Sequence, residues 1–452
     1  MRAKASILVG LLWCLALLSV VVIGVLHTAR LNLLVVKNHD DRIQAHYLAL
    51  AGIEKAKALL YQDAIDRRRS RKTHSAELYD APQQFRDVTL GRGQFRVFRF
   101  APPDEGGSMV YGVSDEESRL NVNRASSEEL AKLYGITPDV VAAIIDWRDE
   151  DNEVTPGGAE AEYYSVLNPP YLPRNGPLQT TRELLMVRGV SRELLLGDTA
   201  DSQGAVEVVD DDESDSSAAT SPGRTRDEGW SGILTVDSSV ENVNAAGEDR
   251  VNVQSADEAA LTSVHGISSD IAKAIVAYRG QNRLENLVDL LNVVAVQSQN
   301  QPRPGQPPIP PDAQQPGSPP SGPKVISEEL FLDVADDLTT ESTQDLPGLV
   351  NVNTASRAVL MCLPGIDQAL AEAIISYRQS SGFFPNVAWL LKVPGMNQQI
   401  LKPLAPRVTT RSETFRIVSE GKVRSTGTRQ RIQEIVHVGL GNLKVLAYQE
   451  DP

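Results

Sequence analysis

The N-terminal part of the chain reads SILVGLLWCLALLSVVVIGVL from Ser6 to Leu26, a stretch without any charged side chain. At about 1.5 Å of rise per residue, a helix of this length crosses the roughly 30 Å hydrocarbon layer of a bilayer. Arg2 and Lys4 precede it, so the positive-inside rule predicts a cytoplasmic N-terminus, with the rest of the chain beyond the membrane. The alternative is a cleaved secretory signal peptide, but residues 27–30, HTAR, offer no small-x-small cleavage site.

The helical pattern continues past this apolar stretch. Residues 27–66 contain no proline, and Ile43, Tyr47, Leu50 and Ile53 recur near helical spacing. The sequence therefore predicts one continuous helix of about 60 residues and roughly 90 Å, apolar in its first part and amphipathic in its second.

Composition limits the classes of function. A chain of 452 residues predicts two to four domains, and its net charge of −15 argues against a general nucleic-acid binder, because phosphate affinity depends on clustered Lys and Arg. Cys14 and Cys362 lie in unrelated contexts, so no disulfide is predicted. The sequence has no glycine-rich phosphate loop, no zinc-ligand spacing and no nucleophile beside a base, so it predicts no enzyme and no catalytic residue.

Three segments of the chain repeat one another without a gap. They begin at Asn121, Asn252 and Asn351, and in each segment a Gly and then an Arg follow the Asn at the same two distances. A left-handed residue would end a short first helix at three repeat turns: Gly135, Gly266 and Gly365. A second helix follows each turn, so the pattern predicts tandem helix-hairpin-helix units. Capping boxes are predicted at Ser126 with Glu129 and at Ser255 with Glu258.

Helix-hairpin-helix units often suggest DNA, because backbone amides at a Gly-hydrophobic-Gly turn can hold phosphates. Here the second glycine is replaced each time, by Thr137, Ser268 and Asp367. Asp139 and Asp270 lie beside two of the turns, and carboxylates repel phosphate. We therefore do not expect nucleic acid as a partner and expect these turns to serve packing.

Alternating, strand-like segments lie on both sides of the helical block. They are residues 93–100 and 109–113 before it, and residues 414–421, 429–438 and 443–448 after it. Strands that flank an insertion most simply form one antiparallel sheet, packed on the N-terminal helix. The predicted fold class is α+β.

An acidic loop follows the first repeat. Its carboxylates are Asp146, Asp149, Asp151, Glu153, Glu160 and Glu162. Oxygen ligands on a loop that contains Gly157 and Gly158 suit Ca²⁺, although the spacing does not fit an EF-hand. The alternative is a solvated acidic loop without a metal.

Six stretches taken together are typical of one family: SILVGLLWCLALL (6–18), ALAGIE (49–54), SDEESRLNVN (114–123), IIDWRDED (144–151), GAEAEYY (158–164) and TRELLMVRG (181–189). They resemble the type II secretion minor pseudopilin K family, also called general secretion pathway protein K. The resemblance covers residues 1–198 closely and residues 350–450 more loosely. It implies a pilin-like fold, with a long N-terminal helix packed on an antiparallel sheet and a large inserted helical domain.

The resemblance also implies how the N-terminus is processed. A prepilin peptidase would cut after Ala5, and Ser6 would become the N-methylated mature N-terminus. Gly10 would then stand at mature position five, where most pilin-like subunits carry Glu. That Glu would pair with the terminal amine of the next subunit, so a subunit without it suits the tip of the filament.

Partners and location follow from the same resemblance. The implied partners are the minor pseudopilins I and J, the prepilin peptidase and the inner-membrane platform of the secretion system, and the implied cofactor is Ca²⁺. The implied location is the bacterial inner membrane, with a single pass and a periplasmic C-terminal region, and then the pseudopilus tip. Two rivals share these parts, namely a membrane-anchored DNA receptor of competence type and a minor pilin of a type IV pilus.

The chain departs from the family in having a middle repeat that looks like an insertion, and Ala5 rather than Gly before the cut. The predicted divisions are residues 1–5 (leader), 6–26 (membrane-spanning helix), 27–66 (amphipathic helix), 67–118 (first part of the sheet), 119–200 (repeat 1), 201–245 (acidic, Ser-rich linker with a candidate strand), 246–296 (repeat 2), 297–325 (Pro-rich linker), 326–406 (repeat 3) and 407–452 (C-terminal strands).

Overall fold

The computed structural model describes residues 2–102, 106–197, 229–295, 323–439 and 441–451. Its first element is a single helix, Arg2–Arg69, which continues without a break through the apolar and amphipathic parts of the sequence. Large apolar side chains between Leu11 and Val36 are exposed, whereas burial on one face begins at Asp41. Among the described residues this is the one helix long and apolar enough to cross a membrane.

The helices are α1 (Arg2–Arg69), α2 (Pro82–Phe85), α3 (Ser127–Leu130), α4 (Pro138–Arg148), α5 (Ala161–Ser165), α6 (Arg192–Leu196), α7 (Glu258–Ser263), α8 (Ser269–Gln281), α9 (Glu328–Val334), α10 (Arg357–Cys362), α11 (Gln368–Ser381) and α12 (Gln398–Leu404). Short 3-10 helices span Thr181–Met186, Gly229–Gly232, Leu287–Asn292, Val387–Lys392 and Ala405–Arg407.

The strands are β1 (Val88–Leu90), β2 (Gly93–Val97), β3 (Arg99–Phe100), β4 (Met109–Val110), β5 (Ser114–Asp115), β6 (Leu120–Asn121), β7 (Leu234–Thr235), β8 (Ser239–Glu241), β9 (Val251–Asn252), β10 (Leu338–Thr339), β11 (Asp345–Pro347), β12 (Val350–Asn351), β13 (Val408–Thr409), β14 (Thr414–Val423), β15 (Arg429–Val438) and β16 (Leu443–Glu450).

The main sheet joins strands from both ends of the chain. Its order is β1-β2-β14-β15-β16, its neighbours are antiparallel, and β5 also pairs with β14. The second half of α1 packs on this sheet in an apolar core that includes Ile53, Leu60, Ile417 and Val436. These features confirm the predicted α+β, pilin-like fold, with one antiparallel sheet divided by a helical insertion.

The first predicted strand is shorter than expected. β2 ends at Val97, and Arg99–Phe100 pairs with Met109–Val110 in a separate two-stranded ribbon. The physical reason is competition for the edge of β14, because β5 pairs with Phe415 and Arg416 just beyond the place where β2 stops.

Each helical repeat is closed by a short parallel pair of strands. β6 pairs with β7, β9 with β10 and β12 with β13. The first strand of every repeat therefore lies next to its last strand. Between these strands each repeat contains, in order, a helix, a glycine turn, a helix, a 3-10 helix and a helix; repeat 1 adds α5 and the 3-10 helix Gly229–Gly232, and repeat 3 adds the 3-10 helix Ala405–Arg407. The three repeats share one apolar core.

This closure corrects the predicted domain boundaries. Repeat 1 ends at β7 rather than at residue 200, and repeat 2 ends at β10 rather than at residue 296. Helix α9, assigned to repeat 3 by the boundary at residue 326, is therefore the last helix of repeat 2. The two linkers, predicted at 201–245 and 297–325, thus interrupt repeats instead of separating them. Most of each linker (198–228 and 296–322) lies outside the described residues.

One of the two predicted capping boxes is present in the structure. Ser126 and Glu129 form a complete capping box at α3. In repeat 2 the N-cap is Asp257, whose side chain accepts a hydrogen bond from the amide of Ala260, so the expectation for Ser255 was wrong. Asp257 stands at the same place in its repeat as Ser126 and Ser356, which cap α3 and α10.

Candidate functional site

Three carboxylates of the acidic loop come together where α4 ends and α5 begins. Asp149 is the C-cap residue of α4 and Glu160 is the N-cap residue of α5, and Asp151 lies in the loop between them. One carboxylate oxygen from each of the three lies within 4.8 Å of those of the other two. Such a separation places three hard oxygen ligands around one point.

The electrostatics of this cluster favour a cation. Glu160 is only 2% exposed, and neither of its carboxylate oxygens has a hydrogen-bond partner among the described residues. Burial, with the charges of Asp149 and Asp146, raises the pKa of Glu160. Burial, with the charges of Asp151 and Asp146, likewise raises the pKa of Asp149. A buried carboxylate without donors is costly unless paired, so Glu160, with the half-buried Asp149 and the exposed Asp151 beside it, fits a divalent cation such as Ca²⁺.

The other predicted ligands do not join the cluster. Asp146 is fully buried, and both of its oxygens accept from the amide of Thr155 at 3.3 Å. A Cβ on Gly158 would lie 2.0 Å from Asp146 Oδ2, so glycine is needed for this approach. Glu153 and Glu162 are exposed and lie outside the cluster, which corrects the six-residue set.

Asn175 was missed by the sequence analysis. Its Nδ2 donates to the Asn152 side chain at 3.0 Å and also to the carbonyl of Asp151, and its Oδ1 is buried without a partner among the described residues. The residue has φ = +48°, a left-handed conformation that Asn tolerates better than most side chains. This local signal of a constrained turn could have identified it.

A second buried acidic group joins the sheet to the helical repeats. Asp115, Glu116 and Glu117 follow one another and are all buried. Asp115 accepts from the Ser412 hydroxyl at 2.5 Å and from the Thr354 hydroxyl. It therefore connects strand β5 of the sheet to repeat 3, which contains Thr354.

The next two carboxylates extend the junction. Glu117 accepts from the amides of Ser239 and Thr414, each at 3.0 Å. Glu116 accepts from the Thr235 hydroxyl at 2.5 Å and forms an ion pair with Arg416 at 2.8 Å. Repeat 1, which ends at Thr235, is thereby held to strand β14.

The pKa shifts in this junction follow from burial and local charge. Burial raises the pKa of Asp115, and burial together with the charge of Asp115 raises that of Glu117 well above its usual range. Burial acts the same way on Glu116, but Arg416 and Arg119 outweigh it and lower the pKa of that carboxyl. No role for these carboxylates could be predicted from the sequence, since consecutive acidic residues are typical of exposed loops.

The repeat turns are packing positions. Gly135, Gly266 and Gly365 have φ of +71°, +93° and +71°. A Cβ at each would approach the last helix of the same repeat, at 2.8 Å from Leu194, 3.0 Å from Leu330 and 3.2 Å from Ile400. The helices that follow are capped by the side chains of Thr137, Ser268 and Asp367.

Repeats 2 and 3 face each other with reciprocal contacts. Asn286 Nδ2 donates to the carbonyl of Lys402 at 2.9 Å, and Asn386 Nδ2 donates to the carbonyl of Leu332 at 2.7 Å. Asn286 and Asn386 are each the N-cap residue of a 3-10 helix, and Leu332 and Lys402 occupy equivalent places in α9 and α12. The two repeats are therefore related by an approximate two-fold axis, as in an isologous interface.

The predicted processing and assembly residues lie near the start of α1. Ala5 and Ser6 are in its first turns, and Gly10 has no neighbouring atom within 4 Å of the position of a Cβ.

Comparison with known proteins gives two family matches. The family described as type II secretion system (T2SS), protein K matches residues 112–196, which hold the first repeat and the acidic loop. The helix-hairpin-helix motif matches residues 247–300 and 348–409, which hold most of repeat 2 and repeat 3.

Individual relatives agree with the first match. Type II secretion system protein K of Klebsiella pneumoniae is 30% identical over 175 residues, covering 34% of this chain and 48% of that protein. Protein K of Aeromonas hydrophila is 51% identical over 142 residues, covering 25% of this chain and 43% of that protein. The chain thus spans about half the length of these relatives.

Two further similarities are weaker. Endonuclease/exonuclease/phosphatase family domain-containing protein 1 of Bos taurus is 27% identical over 167 residues, covering 36% of this chain and 28% of that protein. The crystal structure of the GspK-GspI-GspJ complex from the enterotoxigenic Escherichia coli type 2 secretion system aligns with a TM-score of 0.44 and 13% identity, covering 90% of this chain and 97% of that chain.

A long apolar helix packed on an antiparallel sheet, with helical repeats inserted into that sheet, defines a pilin-like subunit. The family match in the first repeat and acidic loop, together with the two protein K relatives, makes this similarity more specific. Over part of its length the chain is similar to the type II secretion system protein K family.

Proposed function

We propose that the chain is a minor pseudopilin that works at the tip of a type II secretion pseudopilus. It would initiate the filament together with minor pseudopilins I and J and so support protein export across the outer membrane. Its role would be structural and not enzymatic. Before assembly it would wait in the bacterial inner membrane, with a cytoplasmic N-terminus and its folded part in the periplasm.

The division of α1 into two halves is the observation that carries this proposal. The first half exposes apolar side chains along the segment from Leu11 to Val36, and the second half packs on the sheet. An exposed apolar helix is stable in a bilayer or between the helices of other subunits. The same helix can therefore serve as a membrane anchor and later as part of a filament core.

Gly10 supports a place at the tip. The residue offers no carboxylate to a neighbouring subunit, and at this point α1 makes no contact with the rest of the described chain. A subunit that need not pair with the N-terminal amine of another subunit can stand first in the filament. Processing by the prepilin peptidase after Ala5 and recruitment by the inner-membrane platform belong to the same proposal.

Copy number tests the tip position. The full chain carries an affinity tag and is expressed with the other components of its secretion system, and sheared pseudopili are sorted by length. We expect about one copy per filament at every length, and co-purification of minor pseudopilins I and J after detergent extraction. Copies that increase with filament length would refute the tip position, and loss of both partners would refute the proposed complex.

The rival functions predict different results. A DNA receptor of competence type would retard duplex DNA at low salt and lose it as salt rises. A minor pilin of a type IV pilus would co-purify with type IV pilins instead. We expect neither result from the full chain in detergent.

We also propose that Asp149, Asp151 and Glu160 bind Ca²⁺. The ion would supply charge to Asp149 Oδ1 and both oxygens of Glu160, which have no donor among the described residues, and it would fix the loop between α4 and α5. Ca²⁺ at a hundred times its dissociation constant would add about 2.7 kcal/mol to the free energy of unfolding of the state that binds it.

The calcium proposal has a matched pair of variants. Glu160→Gln removes one clustered carboxylate, whereas Glu162→Gln removes an exposed one that lies just beyond it in the chain and outside the cluster. Thermal unfolding is measured in Ca²⁺ and in EGTA. We expect Ca²⁺ to raise the Tm of the wild type and of Glu162→Gln by several degrees, with little effect on Glu160→Gln. An equal Tm in Ca²⁺ and EGTA for the wild type would contradict the proposal.

A further inference from the structure

Two turns of the main sheet lie at the end where α1 leaves it. Along β14, the contact with α1 moves from Ser419, opposite Gly52, to Gly421, opposite Ala45. The strand therefore runs back towards the exposed half of the helix. At about 3.3 Å per strand residue and 1.5 Å per helix residue, the turn that follows β14 lies near the level of residue 40 of α1.

The turn between β1 and β2 lies beside the turn between β14 and β15. β2 pairs with β14 as far as Gly93 and Val423. Just beyond this pair, the amide of Arg424 donates to the carbonyl of Arg92 at 3.3 Å. The two turns thus form one surface at the end of the sheet nearest to the exposed half of α1.

The exposed half of α1 is long enough to bring a bilayer up to this surface. Residues 6–36 contain one charged side chain, Arg30, and residues 31–36 are exposed and apolar except for Asn32. A helix of these 31 residues is about 46 Å long, close to the roughly 40–45 Å of a bilayer with its headgroup layers. Arg30 can extend its charged end to the headgroups from such a segment. The headgroups then end near Lys37, within reach of long side chains on the two turns.

Each of the two turns carries an exposed arginine. The side chain of Arg92 has no hydrogen bond or ion pair among the described residues. Arg424 donates to neutral partners, the Thr89 hydroxyl at 2.5 Å and Gln94 Oε1 at 3.4 Å. Neither contact neutralises the charge of Arg424, so both arginines offer positive charge at the surface.

An apolar side chain stands next to these arginines. Leu90, the last residue of β1, is 49% exposed. Val88 packs against the cluster that α1 forms with the sheet, and side chains alternate along a strand, so Leu90 lies on the same face as α1. Exposed apolar and basic side chains together are typical of segments that lie at a membrane surface.

Basic side chains outnumber acidic ones at this end of the sheet. Residues 37–46, 86–96, 420–431 and 449–451 contain nine Lys and Arg and six Asp and Glu, in a chain whose net charge is −15. Every acidic side chain of these segments is counted, so the excess does not depend on which ion pairs form. A positive surface beside a bilayer is attracted to anionic lipids.

We propose that the two turns rest on the periplasmic leaflet of the inner membrane, where Arg92 and Arg424 bind the phosphate groups of anionic phospholipids and Leu90 enters the headgroup layer. The contact rests on the membrane anchoring of α1, which belongs to the proposed function. A lipid is favoured over an acidic protein because α1 itself holds the turns beside the bilayer. The contact fixes the height and orientation of the folded part above the membrane until assembly withdraws the subunit.

Hydrogen–deuterium exchange of the full chain in nanodiscs tests the contact. The nanodiscs contain POPC alone or POPC with POPG, and exchange is followed at Ser425 and Thr426, whose amides have no backbone hydrogen bond among the described residues. We expect exchange at least tenfold slower with POPG, and a smaller difference as salt rises. The turn between β15 and β16, at the opposite end of the sheet, should exchange equally in both.

Single variants separate the two turns from general charge effects. We expect Arg92→Gln to speed exchange in the POPG nanodiscs about fivefold and Arg92→Lys to keep it slow, because the contact requires charge. The matched control is Arg69→Gln, since Arg69 is exposed at the end of α1, about 40 Å further from the membrane. An equal effect of Arg92→Gln and Arg69→Gln would overturn the proposal.

The remaining outcomes distinguish the source of the contact. Equal exchange in the two nanodiscs would rule out anionic lipid as the ligand, and slow exchange in both would mean that protein covers the turns. Equal slowing by inorganic phosphate in neutral detergent would likewise contradict a lipid contact. A chain that enters neither nanodisc would refute the anchoring of α1, and this proposal with it.

Discussion

Helix α1 lies very close to the sheet at Gly421 on β14. A Cβ added there would lie 2.0 Å from the carbonyl oxygen of Ala45, 2.5 Å from the amide nitrogen of Ala49 and 2.7 Å from the Cβ of Leu48. All three are fixed parts of the helix, so none can rotate away. Gly421→Ala must therefore move α1 and β14 apart by about 1.4 Å, since ordinary van der Waals contact begins near 3.4 Å.

The cost of this movement can be estimated. Overpacking a well-packed contact typically costs about 1–3 kcal/mol, and here the upper half of that range applies because backbone must move. The loss of unfolded-state freedom on replacing Gly by Ala offsets about 0.4–1 kcal/mol. We expect Gly421→Ala to lower the free energy of unfolding by about 2 kcal/mol, which corresponds to a fall in Tm of roughly 4–8 °C.

The matched control is Gly280→Ala. Gly280 lies inside α8, where a Cβ would have no neighbour within 4 Å, so the same substitution should stabilise the protein by about 0.5–1 kcal/mol. Both variants are compared with the wild type in detergent by thermal unfolding followed by circular dichroism. A Tm of Gly421→Ala equal to that of the wild type would show that the close approach of helix and sheet is not maintained in solution.

Three further predictions concern pH, the repeats and processing. Burial raises the pKa of the Glu413 carboxyl from 4.5 to about 7. As the pH rises from about 4.5 to 7, this carboxyl loses its proton in the unfolded state before it does so in the folded state, so the free energy of unfolding should fall over that range. Glu413→Gln should remove about 3 kcal/mol of this pH-dependent fall, measured by unfolding at pH 5 and pH 8. Asn286→Ala and Asn386→Ala should each cost about 1–2 kcal/mol in denaturant unfolding, because each leaves a carbonyl of the other repeat without its donor. Mass spectrometry of chain made with a prepilin peptidase should find methylated Ser6 as the first residue, and an N-terminus at Met1 would contradict this prediction.

The acidic loop shows how far a sequence pattern can define a site. Six carboxylates were expected to act together, and three of them have oxygens within 4.8 Å of one another. Glu160 and Glu162 are two positions apart at the start of a helix, so they point in directions about 200° apart. Asp146 lies in α4, where it is buried and bonded to the amide of Thr155. The composition of the sequence identifies the acidic loop, but the direction of the backbone determines which carboxylate oxygens lie close together.

The repeat boundaries show a different limit. The two low-complexity segments look like linkers between domains, yet each lies inside a repeat that closes only after it. The closing strands β7 and β10 are very short, and they pair with β6 and β9, which lie far earlier in the chain. A strand this short has no detectable period, so its pairing is decided by the packing of the whole repeat.

The sequence by itself determined the elements with strong local periodicity. These are the helix that begins at the N-terminus, the three repeats with a glycine at a fixed distance from their first Asn, and the strands that flank them. Each of these elements is predicted from the spacing of side chains along the chain, and that spacing can be read directly from the sequence. Tertiary structure alone decided how the pieces join. The buried carboxylates at Asp115, Glu116 and Glu117 and the two-fold contact of repeats 2 and 3 both bring together residues far apart in sequence, because burial and hydrogen bonding depend on distance in space.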